Sequence, residues 1–191
     1  MDGGRSVPDG ARGGVRSSEV GAQSADTDGS LPAEADERFM ARAVELARRG
    51  AGWTSPNPLV GAVIVRDGRI IGEGWHEHIG GLHAERNAFA HCTEDCTGAD
   101  LYVTLEPCPM CAGALINSRM KTVYYGAPDP KAGSCGSLIN LFALPYNHQP
   151  ALVSGVLEQE CADILRNFFR ELRKKRKEIR KLEKSRVEEQ S

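Results

Sequence analysis

Hydrophobic positions are sparse and follow no pattern over the first part of the chain. Residues 1–35 are mainly Gly, Ser, Ala and Asp with scattered Arg, and they include no aromatic side chain. We expect a disordered tail here, because too little apolar surface is present to offset the entropy lost on ordering. A wrongly assigned translation start is the alternative interpretation.

From residue 36 onwards the hydrophobic pattern predicts alternating helices and strands. Asp36 precedes an apolar helical stripe, and Gly50 suits the end of that helix. Two apolar runs flank Asp67 and Gly68, which is a strong hairpin signal. The later segments are predicted as a short helix at 84–92, a strand at 101–105, a helix at 110–117, a strand at 122–126, a short helix at 137–144, a fifth strand at 151–153 and a long helix from 158. The pattern therefore predicts an α/β fold with helices on both faces of a five-strand sheet.

Composition is that of one globular domain. The chain has 191 residues, of which 40% are hydrophobic and 26% charged. We expect one domain over residues 36–180, followed by a charged C-terminal extension at 181–191. No apolar run approaches the roughly 20 residues of a membrane-spanning helix, and the first residues lack the features of an export signal. These features predict a cytoplasmic protein with no membrane partner, in which the six cysteines serve as thiols or metal ligands.

Positive charge is concentrated near the C-terminal end. Residues 166–186 contain 11 Lys and Arg against 3 acidic residues, whereas the whole chain has a formal net charge of −2. A solvated helix face is one interpretation of this segment. A surface that attracts phosphate groups is the other.

Two short motifs carry the candidate chemistry. They are H-A-E at residues 83–85 and P-C-P-M-C at residues 107–111. One imidazole and two thiolates, from His83, Cys108 and Cys111, are three ligands for a tetrahedral zinc ion, which leaves one position open for water as in catalytic sites. A closed structural site is the alternative, with its fourth ligand taken from His91, Cys92 or Cys96.

Glu85 follows the candidate ligand His83 by two residues, at the start of a predicted helix. A carboxylate there can reach the water without binding the metal, which is the place of a general base. It would take a proton from water that attacks an amidine carbon of an aminated ring, and then return protons to the ring nitrogen and the leaving amine. Backbone N–H groups of the helix after Cys108 would stabilise the thiolates. The motifs together predict hydrolytic deamination with Glu85 as the catalytic residue.

The H-A-E motif followed by P-C-x-x-C resembles the zinc-dependent nucleobase and nucleoside deaminases. The resemblance implies a cytidine-deaminase-like fold, which is a three-layer α/β/α arrangement with a mixed five-strand central sheet. It also implies one Zn²⁺ per subunit. A catalytically inactive RNA-binding relative is disfavoured, because Glu85 and all three candidate ligands are present.

The second half of the chain resembles the bacterial tRNA adenosine deaminases, which make inosine at the wobble position of the anticodon. The matching segments are TLEPCPMCAGALINSRM at 104–120, YGAPDPKAGSCGSL at 125–138, NH at 147–148, VSGVLEQEC at 153–161 and NFFR at 167–170. This resemblance implies that a tRNA anticodon stem-loop approaches the basic last helix and four residues, Asp129, Lys131, Asn147 and His148. It also implies a homodimer in which the neighbouring subunit completes the RNA surface.

The first half instead resembles the deaminase domain of riboflavin biosynthesis, which acts on an aminopyrimidine ribonucleotide. The matching segments are SPNPLVG at 55–61, GWH at 74–76 and GGLH at 80–83. The resemblance implies that Asn57 and His76 belong to the substrate pocket, and we expect Ala84 beside them. The tRNA enzymes usually carry Asn where His76 stands.

The two resemblances predict different substrates. A free aminopyrimidine ribonucleotide, or another free nucleobase or nucleoside, is the alternative to tRNA. The short C-x-x-C spacing differs from the longer insertion of the riboflavin family. A spread basic surface also suits a nucleic acid strand better than a single nucleotide. We therefore expect adenosine-to-inosine conversion in tRNA.

Several of these residues also have plain structural interpretations. Asn57 lies between two prolines and suits a turn. Asn147 and His148 can equally anchor a loop. The remaining cysteines are expected to be ordinary or packed thiols, namely Cys92, Cys96, Cys135 and Cys161.

Overall fold

The computed structural model describes residues 34–188, and its secondary structure alternates as the hydrophobic pattern predicts. The elements are α1 Glu34–Arg49, β1 Gly61–Arg66, β2 Arg69–Trp75, α2 Ala84–Ala90, β3 Asp100–Leu105, α3 Pro109–Asn117, β4 Thr122–Ala127, a 3₁₀ turn Leu141–Ala143, β5 Ala151–Ser154 and α4 Glu158–Glu188. Most of the predicted tail, residues 1–33, lies outside the described residues. Glu34 and Ala35 already belong to α1.

The five strands form one mixed sheet in the order β2-β1-β3-β4-β5. Strand β1 is antiparallel to β2 and β3, whereas β3, β4 and β5 run parallel. The β1–β2 hairpin turns at Asp67 and Gly68, whose φ angles of 50° and 71° are the positive values that a tight two-residue hairpin turn requires. The predicted hairpin and the predicted mixed five-strand sheet are confirmed.

Helices cover both faces of the sheet, because successive side chains of each strand point to opposite sides. On one face, β1 residues Ala62 and Ile64 pack with α2 and α3. On the other face, Val63 and Val65 pack with α1 and α4. At Gly74 the backbone approaches α2 so closely that a Cβ would lie 2.2 Å from the nitrogen of Ala88. The three-layer α/β/α prediction is therefore confirmed.

Two local predictions are wrong. Residues 137–144 form no helix beyond the 3₁₀ turn, because residues 135–140 fold back on themselves and pair Cys135 with Asn140 in a β-bridge. Cys92 and Cys96 are joined by a disulfide instead of being ordinary thiols. The chain turns directly after α2, and this turn brings the two cysteines together.

Helix α4 is the longest element and continues unbroken through residue 180, where the predicted extension begins. Its first half packs on the sheet through Cys161, Ile164 and Leu165. Its second half is exposed and carries most of the basic residues. Within residues 34–188, every helix is too short or too polar to span a lipid bilayer.

Candidate active site

The two sequence motifs meet at the N-termini of two neighbouring helices. His83 occupies the N-cap position of α2, and Cys108 occupies the same position of α3. Pro109 begins α3, where its missing N–H costs no hydrogen bond. Cys111 lies one turn further along α3 and is buried. The C-x-x-C spacing thus turns both sulfur atoms towards the imidazole.

The spacing of these three side chains fits a tetrahedral zinc ion. The Nδ1 atom of His83 lies 3.7 Å from Sγ of Cys108 and 3.5 Å from Sγ of Cys111. Zinc bonds of about 2.0 Å to nitrogen and about 2.3 Å to sulfur place tetrahedral ligand atoms roughly 3.5 Å apart. The cluster therefore fits a single zinc ion without rearrangement.

The alternative of a closed four-ligand site finds no support in the described part of the chain. The candidate metal cluster there consists of His83, Cys108 and Cys111 alone. Cys92 is joined to Cys96, and His91 Nδ1 lies 2.9 Å from the carbonyl oxygen of Asn87. Three protein ligands leave one position of a tetrahedral ion for water or substrate, as in catalytic zinc sites.

The two thiols of the cluster differ in their affinity for a proton. The hydrogen bond from the Cys111 thiol, reinforced by the one from His83, lowers the pKa of Cys108 to about 4. The shared hydrogen bond and burial together raise the pKa of Cys111. The hydrogen bond to Cys108 likewise raises the pKa of His83. A thiolate at Cys108 provides negative charge for a divalent cation.

Glu85 lies in the first turn of α2, directly beside the cluster, and only 4% of it is exposed. Burial raises the pKa of this carboxyl above its ordinary value. A raised pKa makes the carboxylate a stronger proton acceptor and brings the group closer to neutral pH, where one residue can serve both as base and as acid. The position and environment of Glu85 therefore suit proton transfer at the pocket.

A cavity of about 230 Å³ joins the cluster to most of the predicted substrate residues. Asn57, His76, Ala84 and Asp129 all line it, together with His83, Glu85 and Cys108. Leu105, Val60 and Pro58 add apolar wall. A small pocket with apolar walls and few polar groups suits an aromatic base.

Asn57 and His76 form a hydrogen-bonded pair in this pocket. The Nδ1 atom of His76 donates to the carbonyl oxygen of Leu82 at 2.9 Å, since a carbonyl can only accept. The Nε2 atom then accepts from the Asn57 amide at 3.2 Å. This pairing fixes which atoms of both side chains remain for a substrate.

Asn147 and His148 do not line the pocket. The Oδ1 atom of Asn147 accepts from Arg119 at 2.9 Å, and Nε2 of His148 donates to the carbonyl oxygen of Met120 at 2.6 Å. Both contacts anchor the segment before β5 to the residues after α3. Their predicted role in RNA binding stays a prediction.

The structure adds two features to the sequence predictions: a buried carboxylate that was not predicted, and a groove that connects the predicted basic helix, Asp129 and Lys131 with the catalytic cavity. Glu106, directly before Pro107, lies in the pocket wall and is 3% exposed. A second, larger groove of about 710 Å³ shares Pro58, Leu105 and Asp129 with the catalytic cavity. Basic residues line it, namely Lys131, Arg166, Arg170 and Arg173. In the sequence, the position of Glu106 directly before the zinc motif could have indicated the buried carboxylate. The helical spacing of the arginines could have indicated the groove.

Comparisons with known proteins point to the same chemistry. A model of the cytidine and deoxycytidylate deaminase zinc-binding region matches residues 33–127. The tRNA-specific adenosine deaminase of Bacillus subtilis is 44% identical over 160 residues, which cover 76% of this chain and 96% of that protein. The riboflavin biosynthesis protein RibD of Actinobacillus pleuropneumoniae is 46% identical over 147 residues.

The lengths of these matches differ. The RibD alignment covers 74% of this chain but only 38% of that protein, so the chain spans well under half of it. A solved structure from a study of A-to-I editing by tRNA:A34 deaminases superimposes with a TM-score of 0.58 and 37% identity. That match covers 67% of this chain and 99% of the solved chain.

Proposed function

The chain belongs to the zinc-binding family of cytidine and deoxycytidylate deaminases, and we propose that it converts adenosine to inosine at the wobble position of a tRNA anticodon. The observation that carries this proposal is the basic groove that opens beside the catalytic cavity. It provides a path for a strand whose base enters the cavity. The nearly full-length similarity to a tRNA-specific adenosine deaminase supports the same substrate.

The reaction consumes water and releases ammonia. When held by His83, Cys108 and Cys111, a zinc ion would supply Lewis acidity that activates water for attack on the base. Glu85 receives the proton that this water loses and delivers it to the ring nitrogen. The second proton comes from the hydroxyl group that the attack leaves on the ring carbon, and it passes through Glu85 to the amino group. The carbon–nitrogen bond then breaks, ammonia leaves and the hydroxyl oxygen becomes the carbonyl oxygen of the product. The apolar walls of Val60 and Leu105 exclude bulk water from these transfers.

The groove supplies charge where the strand must run. Arg166, Arg170 and Arg173 follow one another at helical spacing on α4, and Lys131 lines the same groove. Phe169 lies among them and offers an aromatic face for a base. At about 710 Å³ the groove is larger than the cavity of about 230 Å³. Lys131 and Asp129 thus have a place in the proposed RNA surface.

A second candidate substrate is a free aminopyrimidine ribonucleotide. The Asn57–His76 pair favours it, because the segments that carry these residues resemble the riboflavin enzymes. The 46% identity to RibD supports this alternative. In the tRNA proposal the same pair, together with Ala84, would contact the flipped adenine or its ribose.

We further propose a homodimer whose neighbouring subunit extends the RNA surface. Large apolar side chains are exposed near the site, namely Met110, Leu138 and Ile139 at 56%, 61% and 47%. Such exposed apolar groups mark interaction surfaces.

We also propose the bounds of the domain and its location in the cell. The deaminase domain would comprise residues 36–180, and residues 181–191 would form a charged extension. A tRNA substrate would place the activity in the cytoplasm.

A direct substrate comparison tests the proposal. Zinc-loaded protein is incubated with an anticodon stem-loop that carries wobble adenosine and, separately, with the aminopyrimidine ribonucleotide, and inosine and ammonia are followed. We expect inosine in the RNA and no turnover of the nucleotide. A stem-loop with wobble guanosine is the matched control. Turnover of the nucleotide alone would overturn the tRNA proposal in favour of the second candidate.

A further inference from the structure

The wall of the catalytic cavity contains a carboxylate that the deamination chemistry does not use. Glu106 lies between Leu105 at the end of β3 and the Pro107–Cys108 pair, and it is 3% exposed. Burial of a charged group is costly unless hydrogen bonds compensate for it. The hydrogen-bond partners of Glu106 therefore indicate its structural role.

Four donors surround this carboxylate, and all belong to the segment 128–138 that follows β4. Oε1 accepts from the backbone N–H groups of Cys135 at 2.9 Å and Ser137 at 3.0 Å. Oε2 accepts from the backbone N–H of Asp129 at 3.0 Å and from the Ser137 hydroxyl. Among the ion pairs of residues 34–188, none includes Glu106.

The segment 128–138 is wrapped tightly around the carboxylate. A Cβ on Gly133 would lie 2.2 Å from Oε2 of Glu106, so only glycine fits there. The N–H of Ser134 donates to the carbonyl oxygen of Pro107 at 2.9 Å, which closes the segment against the start of the zinc motif. Two points of this segment, Asp129 and Ala132, line the catalytic cavity.

We propose that Glu106 is a positioning residue, which holds the segment 128–138 so that Asp129 and Lys131 face the substrate. The expected change in KM rests on the proposed deaminase function, whereas the expected hold of Glu106 on the segment does not. Asp129 lies at the boundary of cavity and groove, and its own Oδ1 accepts from the N–H of Lys131 at 2.9 Å. By holding the backbone of Asp129, Glu106 therefore also fixes the position of Lys131 in the groove.

The substitution Glu106→Gln tests one specific bond. A carboxamide keeps one acceptor oxygen and gains an NH₂ group. With the NH₂ at the Oε2 position, the Ser137 hydroxyl can rotate to accept, but the backbone N–H of Asp129 then faces another donor. The opposite orientation would set two backbone N–H groups against the NH₂. The variant therefore loses the Asp129 anchor and keeps the other contacts.

We expect KM for the RNA to rise about tenfold or more in Glu106→Gln, the loss typical of a hydrogen bond to a charged group, with kcat within about threefold of wild type. Zinc content should remain one ion per chain. Amide hydrogen exchange should accelerate at Asp129 and Lys131 in the substrate-free protein. This last measurement needs no substrate, so it separates failure of this proposal from failure of the proposed function.

Two control variants isolate the effect. Ser137→Ala removes the hydroxyl donor but leaves the Asp129 bond, and its KM should stay within about threefold of wild type. Glu73→Gln removes a carboxylate of β2 that accepts two bonds from Arg42 and does not line the cavity. It should change neither KM nor the exchange of Asp129. Unchanged exchange at Asp129 in Glu106→Gln, or loss of zinc with unchanged KM, would overturn the proposal.

Discussion

At the scale of single residues, Glu85 has to meet opposite requirements. Its carboxyl is almost completely buried, which favours the protonated form, whereas the role that we propose for it in the first step of deamination is that of a proton acceptor. A raised pKa reconciles the two, because the same group must return the proton later. The neighbouring zinc site would shift this balance towards the carboxylate when a cation is bound.

The substitution Glu85→Gln should abolish turnover while leaving the metal in place. Gln has nearly the same shape as Glu but cannot accept a proton from water. We expect the single-turnover rate of inosine formation to fall by about 10³-fold, within the usual range for a general acid–base group. Zinc should stay at one ion per chain, as measured by elemental analysis, because Glu85 is not among the ligands.

An exposed carboxylate provides the control for this variant. Glu94 pairs with Arg69 at 2.7 Å and does not line the cavity. Glu94→Gln should keep the wild-type rate. A rate within tenfold of wild type for Glu85→Gln would assign the proton transfer to another group.

At the scale of elements, α1 and β2 are connected by a two-pronged ion pair. Arg42 donates from Nε and Nη2 to the two carboxylate oxygens of Glu73, at 2.7 and 3.0 Å. These hydrogen bonds hold the pKa of Glu73 below its ordinary value of 4.5. Its stabilising contribution is therefore complete above about pH 4.5 and is lost as the pH falls through the lowered value of the folded state.

Glu73→Gln should reduce the free energy of unfolding at pH 7 by up to about 1 kcal/mol, since both side chains are about a third exposed. The difference from wild type should shrink in acid, because wild-type Glu73 is then protonated as well. Urea denaturation at pH 7, 5 and 3 measures this. A difference that stays constant over that range would show that the ion pair contributes nothing.

The basic residues of α4 allow a test of charge placement. Arg166 and Arg173 both line the basic groove, two helical turns apart on α4. Neutralising both, as Arg166→Gln with Arg173→Gln, should lower the slope of log K against log salt by about 1.4, at roughly 0.7 per phosphate contact of a single strand. Binding of the anticodon stem-loop is measured at several salt concentrations in the Glu85→Gln background.

Lys174 and Lys181 supply the matched pair, since they carry the same charge at the same two-turn spacing on α4 and do not line the groove. Changing both to Gln should leave the salt slope nearly unchanged. Equal slopes for the two double variants would show that α4 acts as a diffuse charge and not through the groove.

Elements defined by neighbouring residues were predictable from the sequence. The hairpin needed only Asp67 and Gly68 between two apolar runs, and the zinc cluster needed only two short motifs at helix starts. The prediction of a helix at 137–144 was wrong because the conformation of this segment depends on Glu106, 31 residues before Ser137 in the chain. No local periodicity could encode the two bonds from Ser137 to Glu106 that hold the start of this segment.

The positions of Asn147 and His148 show the same limit at the site. A resemblance to a family can indicate residues that matter, but it does not say whether they contact substrate or anchor a loop. Here both side chains bond to the residues that follow α3. Asn57 and His76 were predictable as pocket residues, whereas their hydrogen bond to each other depends on the packing of two distant segments.

At the scale of the whole molecule, the metal cluster connects two helices, α2 and α3, which otherwise depend on their packing against the sheet for their relative position. His83 precedes α2, and both cysteines belong to α3 or its cap, so a bound ion would connect two helices on one face of the sheet. A ligand that binds only the folded state stabilises it in proportion to RT ln(1 + [L]/Kd). Zinc should therefore contribute to global stability as well as to catalysis.

Removal of zinc by a chelator should abolish deamination and lower Tm. If free zinc stands at about a thousand times Kd, its loss costs about 4 kcal/mol, which corresponds to roughly 10 °C for a domain of this size. Calorimetry before and after chelation measures the shift, and added zinc should restore both Tm and activity. The Glu85→Gln protein should show the same shift in Tm without any activity, which separates the structural role of the ion from its chemical one. An unchanged Tm after complete zinc loss would mean that the sheet and its two cores hold α2 and α3 in place unaided.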